Sequence, residues 1–238
     1  MIRAHVGKWG KKARLSAAAV VTAATLAGCG MHPGAAAVVN GSEVSEGRVD
    51  DAAVALCSAN ITGAAAQGQQ VPVLPLRGAR QAALQLIVES KLAEQFAAEK
   101  GITVDQSQVS QFVEQNQQGI AALPEAQRQD FRDLLTGYRT AQLIFIAAGK
   151  ESLASQGNPR ASDDQAEAEG RKVFSAWAKD ADVEVDPRFG DYTDGSLVPA
   201  SGSLSIPVSA SAKAGAAAEP SDAWKAGLPV SQRCSSPS

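Results

Sequence analysis

Histidine is nearly missing from this 238-residue chain: it occurs twice, at His5 and His32. Without a histidine deep in the sequence, neither a Ser-His-Asp triad, nor a Cys-His pair, nor a His-ligated zinc centre can be assembled. The chain also lacks Gly-x-Ser-x-Gly, a Walker A loop, a dinucleotide glycine cluster and Cys-x-x-Cys. No catalytic residues, metal ligands or cofactor are therefore expected. Aromatic residues make up only 5% of the chain, so a core and an exposed apolar surface must compete for them. Basic residues do not dominate either: 22 Lys and Arg face 25 Asp and Glu, which argues against a nucleic-acid partner. The apolar run from Leu15 to Gly28 is 14 residues, well short of the roughly 20 that a permanent membrane span needs.

What the chain does have begins at its amino terminus. Five cations (Arg3, Lys8, Lys11, Lys12, Arg14) stand without an acid before the apolar run, and small residues follow. That is the layout of a secretory signal peptide over residues 1–28. The run closes on Leu26-Ala27-Gly28-Cys29, which resembles the lipobox of bacterial lipoproteins. The resemblance implies cleavage before Cys29, a diacylglycerol on its thiol and a fatty acyl group, such as palmitate, on the new amine. The alternative is an ordinary signal peptide that happens to contain a cysteine. The expected location is extracytoplasmic, with the protein anchored to the cell membrane by lipid. Losing five cations takes the formal charge from −3 to −8, so acyl chains rather than a polybasic patch must hold the membrane. Cys57 and Cys234 then remain as an even pair in an oxidising compartment, and a disulfide would tie the tail to the start of the domain. One buried thiol and one exposed thiol is the other reading.

Residues 29–35 read as a tether. Asn40-Gly41 between apolar residues predicts a tight turn, because both central positions of a type I′ turn need positive φ. Ser45 is placed to cap a helix that carries Val49, Ala52, Ala53, Leu56 and Cys57 and stops near Asn60 to Gly63. A long helix over Leu76 to Lys100 carries a stripe of Leu84, Ile87, Val88, Leu92 and Phe96, with Gly101 at its C′ position. Asp105 opens a shorter helix. Pro124 starts another with Phe131, Leu134, Tyr138, Ala141, Phe145 and Ala148 at three- and four-residue steps. The last helix runs from about Asp163 to Asp180, and Asp163 to Glu169 are its acidic first turns rather than a cation site. Val183 to Gly190 reads as an extended arm. Asp191 to Ser196 has the look of a calcium loop but lacks its ligand pattern and is a turn. Leu204, Ile206 and Val208 make at most an edge strand, and residues 209–222 are low-complexity linker.

The segments Ala36 to Val44 and Leu84 to Val109, together with the arm Val183 to Gly190, resemble the SurA and PrsA/PpiC foldases. Ala36-Ala37-Val38-Val39-Asn40-Gly41 is similar to their mature opening. Leu84-x-x-Ile87-Val88, running into Gly101-Ile102-Thr103-Val104-Asp105, is similar to the helix and connection that follow. The resemblance implies an all-α fold of about five helices in a SurA N-terminal-like bundle. It would have a short N-terminal strand-turn, cover residues 36–190, and leave residues 191–238 as an extended, partly disordered tail. It implies a chaperone-like holdase for unfolded or newly exported polypeptides. The parvulin domain of full foldases has no counterpart here, so prolyl isomerase activity is not expected. The candidate peptide-binding residues are Phe112, Phe131, Tyr138, Phe145, Phe174 and Trp177, each of which, as an aromatic on an amphipathic stripe, also reads as core. An envelope lipoprotein that binds one dedicated protein partner is the alternative reading.

Overall fold

The computed structural model of the protein describes residues 32–71, 73–198, 207–217 and 220–234. The signal segment, Cys29, Leu204 and Ile206 lie outside them. Ala35–Val39 forms β1 and Ser42–Ser45 forms β2. Asn40 and Gly41 join the strands with φ of 47° and 77°, the conformation anticipated from the Asn-Gly pair. Ser45 leaves β2 and caps α1 (Glu46–Ala66), its hydroxyl accepting a hydrogen bond from the Arg48 amide at 3.3 Å.

Helix α1 runs past its expected stop at Asn60 to Gly63. The side chains of Asn60 and Thr62 donate back to the Leu56 and Ser58 carbonyls without breaking the helix, and Ala64 to Ala66 extend it. Helix α2 (Leu76–Lys100) ends on Gly101, whose φ of 67° suits glycine. Asp105 caps α3 (Gln106–Gln115). A short α4 (Gln117–Ala121) leads to Pro124, which caps the 31-residue α5 (Glu125–Ser155). Ser162 and Gln165 form a reciprocal capping box at the start of α6 (Asp163–Ala178), so the acidic tract there is the helix's first turn.

The result is an all-α bundle built on α1, α2, α5 and α6, with small strands at its margin. Leu84, Leu92, Phe96, Ile144 and Phe145 are almost wholly buried at its centre. Burial of one such side chain contributes about 1.5–3 kcal/mol. Helices α5 and α6 form an antiparallel pair that meets through glycine. A methyl group on Gly149 would overlap the Ala166 carbonyl, and one on Gly170 would overlap the Phe145 carbonyl. Only glycine permits that approach.

After α6 the arm becomes β3 (Val183–Val185), which pairs antiparallel with β1, Val39 opposite Val183, to give the sheet order β2-β1-β3. Asn40 secures the seam: its amide donates to the Asp182 carbonyl at 2.7 Å and its side-chain oxygen accepts from the Asp182 amide at 2.9 Å. Phe189 follows, buried. The expected domain boundary at Gly190 is not an edge of the packed body. The hairpin β4 (Asp191–Thr193) and β5 (Ser196–Val198) lays Tyr192 and Leu197 against the core.

Among the described residues the tail carries short helices. The stretch read as linker contains α7 (Ala210–Gly215), followed by α8 (Asp222–Ala226) and a 3-10 turn (Val230–Gln232). Trp224 docks on α7. Its indole N–H donates to the Ser211 carbonyl at 2.8 Å, and its ring lies so close over Gly215 that no side chain fits there. Arg77 of α2 bonds the Gly215 carbonyl, and the Cys234 amide donates to the Leu74 carbonyl at 2.8 Å. Cys57, buried on α1, is joined to Cys234 by a disulfide. Val208 is 84% exposed and belongs to no strand.

Candidate functional site

A groove of about 520 Å³ opens between β2, the first turn of α1, α2 and α5. Its floor is apolar. Val44 and Leu134 are buried beneath it, while Leu86 and Ile87 remain half-buried on the flank of α2. The core takes Leu84, Val88, Leu92 and Phe96 from that helix, and Leu86 and Ile87 pack against its edge while remaining partly exposed. Gly137 of α5 keeps α2 close, since a Cβ there would stand 2.8 Å from the Ser90 hydroxyl oxygen.

The rim is charged. Arg48 pairs with Asp133 at 3.0 Å, and Asp133 also accepts from Gln129 at 2.7 Å. Lys91 donates to the Ser42 hydroxyl at 2.9 Å, which fastens β2 to α2. Burial, reinforced by the charge of Asp51, pushes the carboxyl of Asp130, on the same stretch of α5, above the ordinary aspartate value. Glu43 and Glu94 enter no ion pair among the described residues.

A second cleft, about 330 Å³, lies between the α2–α3 connection, α5 and the start of α6. Several of its polar groups bond one another, while the Arg139 Nε is buried without a partner among the described residues. Lys150 pairs with Asp163 at 2.7 Å, and Gln142 donates to Glu167 at 2.9 Å while accepting from Arg139. Among the described residues no three His, Cys, Asp or Glu gather to hold a metal, and no helix is long and apolar enough to cross a membrane.

The aromatic residues are distributed otherwise than expected. Phe145 and Phe174 are corrected from binding residues to core. Their rings meet at 4.8 Å, Phe96 abuts Phe174 edge-on at 5.8 Å, and Arg171 lies 4.7 Å above Phe145 while pairing with Glu89 and Glu167. Trp177 is half-buried beside Phe96 at 5.4 Å, with its indole N–H donating to Glu99 at 2.7 Å. Phe112 and Tyr138 pair across α3 and α5 at 6.2 Å, with Arg139 over the Phe112 ring, and Phe131 is half-buried on α5. None of the six lines the groove. The apolar groups that do line it are aliphatic, and the one signal for them in the sequence was Leu86 standing off the α2 stripe beside Ile87.

Comparison with protein families agrees with this architecture. The model of the SurA-like N-terminal domain matches residues 1–158, from the amino terminus through the whole of α5. The chain belongs to that family, which is chaperone-like and points to polypeptides as the class of molecule bound. No curated protein and no solved structure matches the chain.

Proposed function

We propose that this protein is a lipid-anchored, extracytoplasmic holdase that captures unfolded or newly exported polypeptides in the groove between β2, α2 and α5, without prolyl isomerase activity. The observation that carries the reading is the apolar floor. Leu86 and Ile87 pack against the edge of the core yet stay partly exposed, in a depression of about 520 Å³ large enough for several side chains. Membrane attachment through acylated Cys29 is supported by the lipobox-like sequence and fits a body with an ordered strand from Ala35 onward.

The test is suppression of aggregation of a denatured model substrate by the full chain in mild detergent. Leu86→Glu with Ile87→Glu is expected to abolish suppression while the far-ultraviolet circular dichroism stays unchanged. Equal suppression by the variant would remove the groove from the reading. Absence of suppression by the unaltered chain at several-fold excess would remove the holdase. Retention of a single saturable partner would then favour the dedicated-partner alternative. Cys29→Ser is expected to shift the protein from the membrane to the soluble fraction.

A further inference from the structure

The groove has a backbone wall. β2 is an edge strand in the order β2-β1-β3, and Glu43, Val44 and Ser45 all line the groove. The pairing of β1 fixes which groups of β2 are free. The Asn40 amide donates to the Asp182 carbonyl and the Asp186 amide to the Ala36 carbonyl, so the even-numbered residues of β1 face β3. The odd-numbered residues, Ala37 and Val39, therefore bond their opposite numbers Val44 and Ser42 on β2. Glu43, between them, turns its N–H and C=O away from the sheet and toward the groove's open side, and the Ser45 N–H follows two residues on. Both residues are exposed, and no described segment pairs with this edge.

We infer that a client is bound here as an added β-strand, an extended segment hydrogen-bonded to Glu43 and Ser45 whose alternate apolar side chains drop onto Leu86, Ile87 and Leu134. The inference rests on the groove reading above and specifies its chemistry. The period of a strand matches the site. Val44 faces the core, so the added strand's inward residues share its side of the sheet and meet the aliphatic floor. Its outward residues lie beside the Glu43 carboxylate. Glu43 and Glu94 form no ion pair among the described residues, and the groove's lysine, Lys91, donates to the Ser42 hydroxyl, so the favoured segment alternates apolar residues with basic or hydroxyl ones. The edge ends where Ser45 becomes the cap of α1, so few backbone bonds form and the complex exchanges rapidly. A β-branched, sequence-tolerant client is what such a wall selects, because main-chain bonds do not read side chains.

The probe is the capped heptapeptide Thr-Val-Lys-Leu-Thr-Val-Lys, fluorescently labelled, titrated with the full chain in detergent. N-methylation of one set of alternate residues is expected to weaken binding about tenfold, and of the other set to leave it unchanged, because only one set presents its amides to β2. Glu43→Pro removes the edge donor without touching the β1 ladder and is expected to weaken binding by about fivefold. Glu43→Gln, which keeps the donor, should affect only peptides that carry lysine. Equal tolerance of N-methylation at both sets, with binding still lost in Leu86→Glu, would overturn strand addition and leave a groove that holds side chains alone. No binding of the parent peptide, with aggregation suppression also indifferent to Leu86→Glu, would overturn both. A dimer in sedimentation that dissociates on Glu43→Pro would show the edge occupied by a second copy and would equally overturn the inference.

Discussion

The helical body and the C-terminal tail are held by opposite means. In the body, Leu84, Leu92, Phe96 and Phe145 leave water together, and α5 and α6 approach so closely that glycine is required at two positions. From Ala210 onward the tail contributes almost nothing to that core. It is fastened by the Cys57–Cys234 bond, by the Cys234 amide donating to the Leu74 carbonyl, by the Arg77 side chain donating to the Gly215 carbonyl, and by Trp224 lying on its own short helix. A body of this kind fails cooperatively, whereas a tail of this kind can detach alone.

The contrast breaks most visibly in the core. Phe145→Ala is expected to cost about 3–5 kcal/mol, since it leaves a cavity between Phe174 and the Arg171 side chain above it. Thermal unfolding should show one transition shifted down as a whole. Gly170→Ala comes next, at about 1–3 kcal/mol or more, because the added methyl meets the backbone of Phe145, which cannot give way as a side chain would. Gly47→Ala, where nothing lies near the added carbon, is the control and should change little. A Gly170→Ala protein as stable as the parent would show that α5 and α6 can separate without loss.

Reduction of Cys57–Cys234 tests the other half. The bond closes a sequence separation of 177 residues, for which the chain-entropy account gives roughly 5 kcal/mol. That figure assumes the reduced native state keeps its tail in place. Because the tail can leave while the body stays folded, the expected loss is on the order of 1–2 kcal/mol. Amide exchange should quicken sharply in α8 and the final turn while α2 and α5 keep their protection. Equal acceleration in α2 would mean that the tail is part of the cooperative body.

The body was far more legible in the sequence than the tail, for the same physical reason. Periodic apolar residues, Asn40-Gly41, Gly101, Asp105 and Ser162 act within a few residues, so stripe, turn and cap could be read directly. The pairing of β3 with β1 spans more than 140 residues and left only the alternation of Val183 and Val185 as its trace. Helix α7 carries no apolar stripe and rests on Ser209 as its cap, on Arg77 and on Trp224, so composition alone marked it as linker. Of the aromatic candidates, Phe145 and Phe174 lie in the core, because a chain with so few aromatics needs them there. The groove's apolar lining is aliphatic, Leu86 and Ile87 beside an edge strand whose free face depends on register, and sequence alone does not display that register.

Two titrations probe the margin of the body, where the arm and the hairpin pack on it. Burial pushes the Tyr192 phenol up to about 12, against an ordinary value of 10.0. The unfolded chain ionises near pH 10 while the folded one does not, so stability is full below that pH and falls as pH rises from 10 toward 12. Tyr192→Phe should remove this decline, apart from the weak bond of the hydroxyl to the Ala178 carbonyl at 3.3 Å.

The smallest effect belongs to Asp186, where the arm turns from β3 toward Phe189. Its carboxylate accepts from the Arg188 side chain and from the Arg188 amide at 2.8 Å, and these bonds hold its pKa below the ordinary 3.8. The folded state therefore prefers the ionised form. The stabilisation is complete above the unfolded value and disappears as pH falls through the lower folded one. Arg188 is 64% exposed and also reaches Glu46, so solvent limits the contribution to under about 1 kcal/mol. Chemical denaturation of the parent and of Asp186→Asn should differ at pH 6, and the difference should shrink as pH falls below 3.8. A difference that persists unchanged to the lowest pH at which the fold survives would assign the loss to the amide contact alone, and the arm would then be held by backbone geometry and the burial of Phe189 rather than by charge.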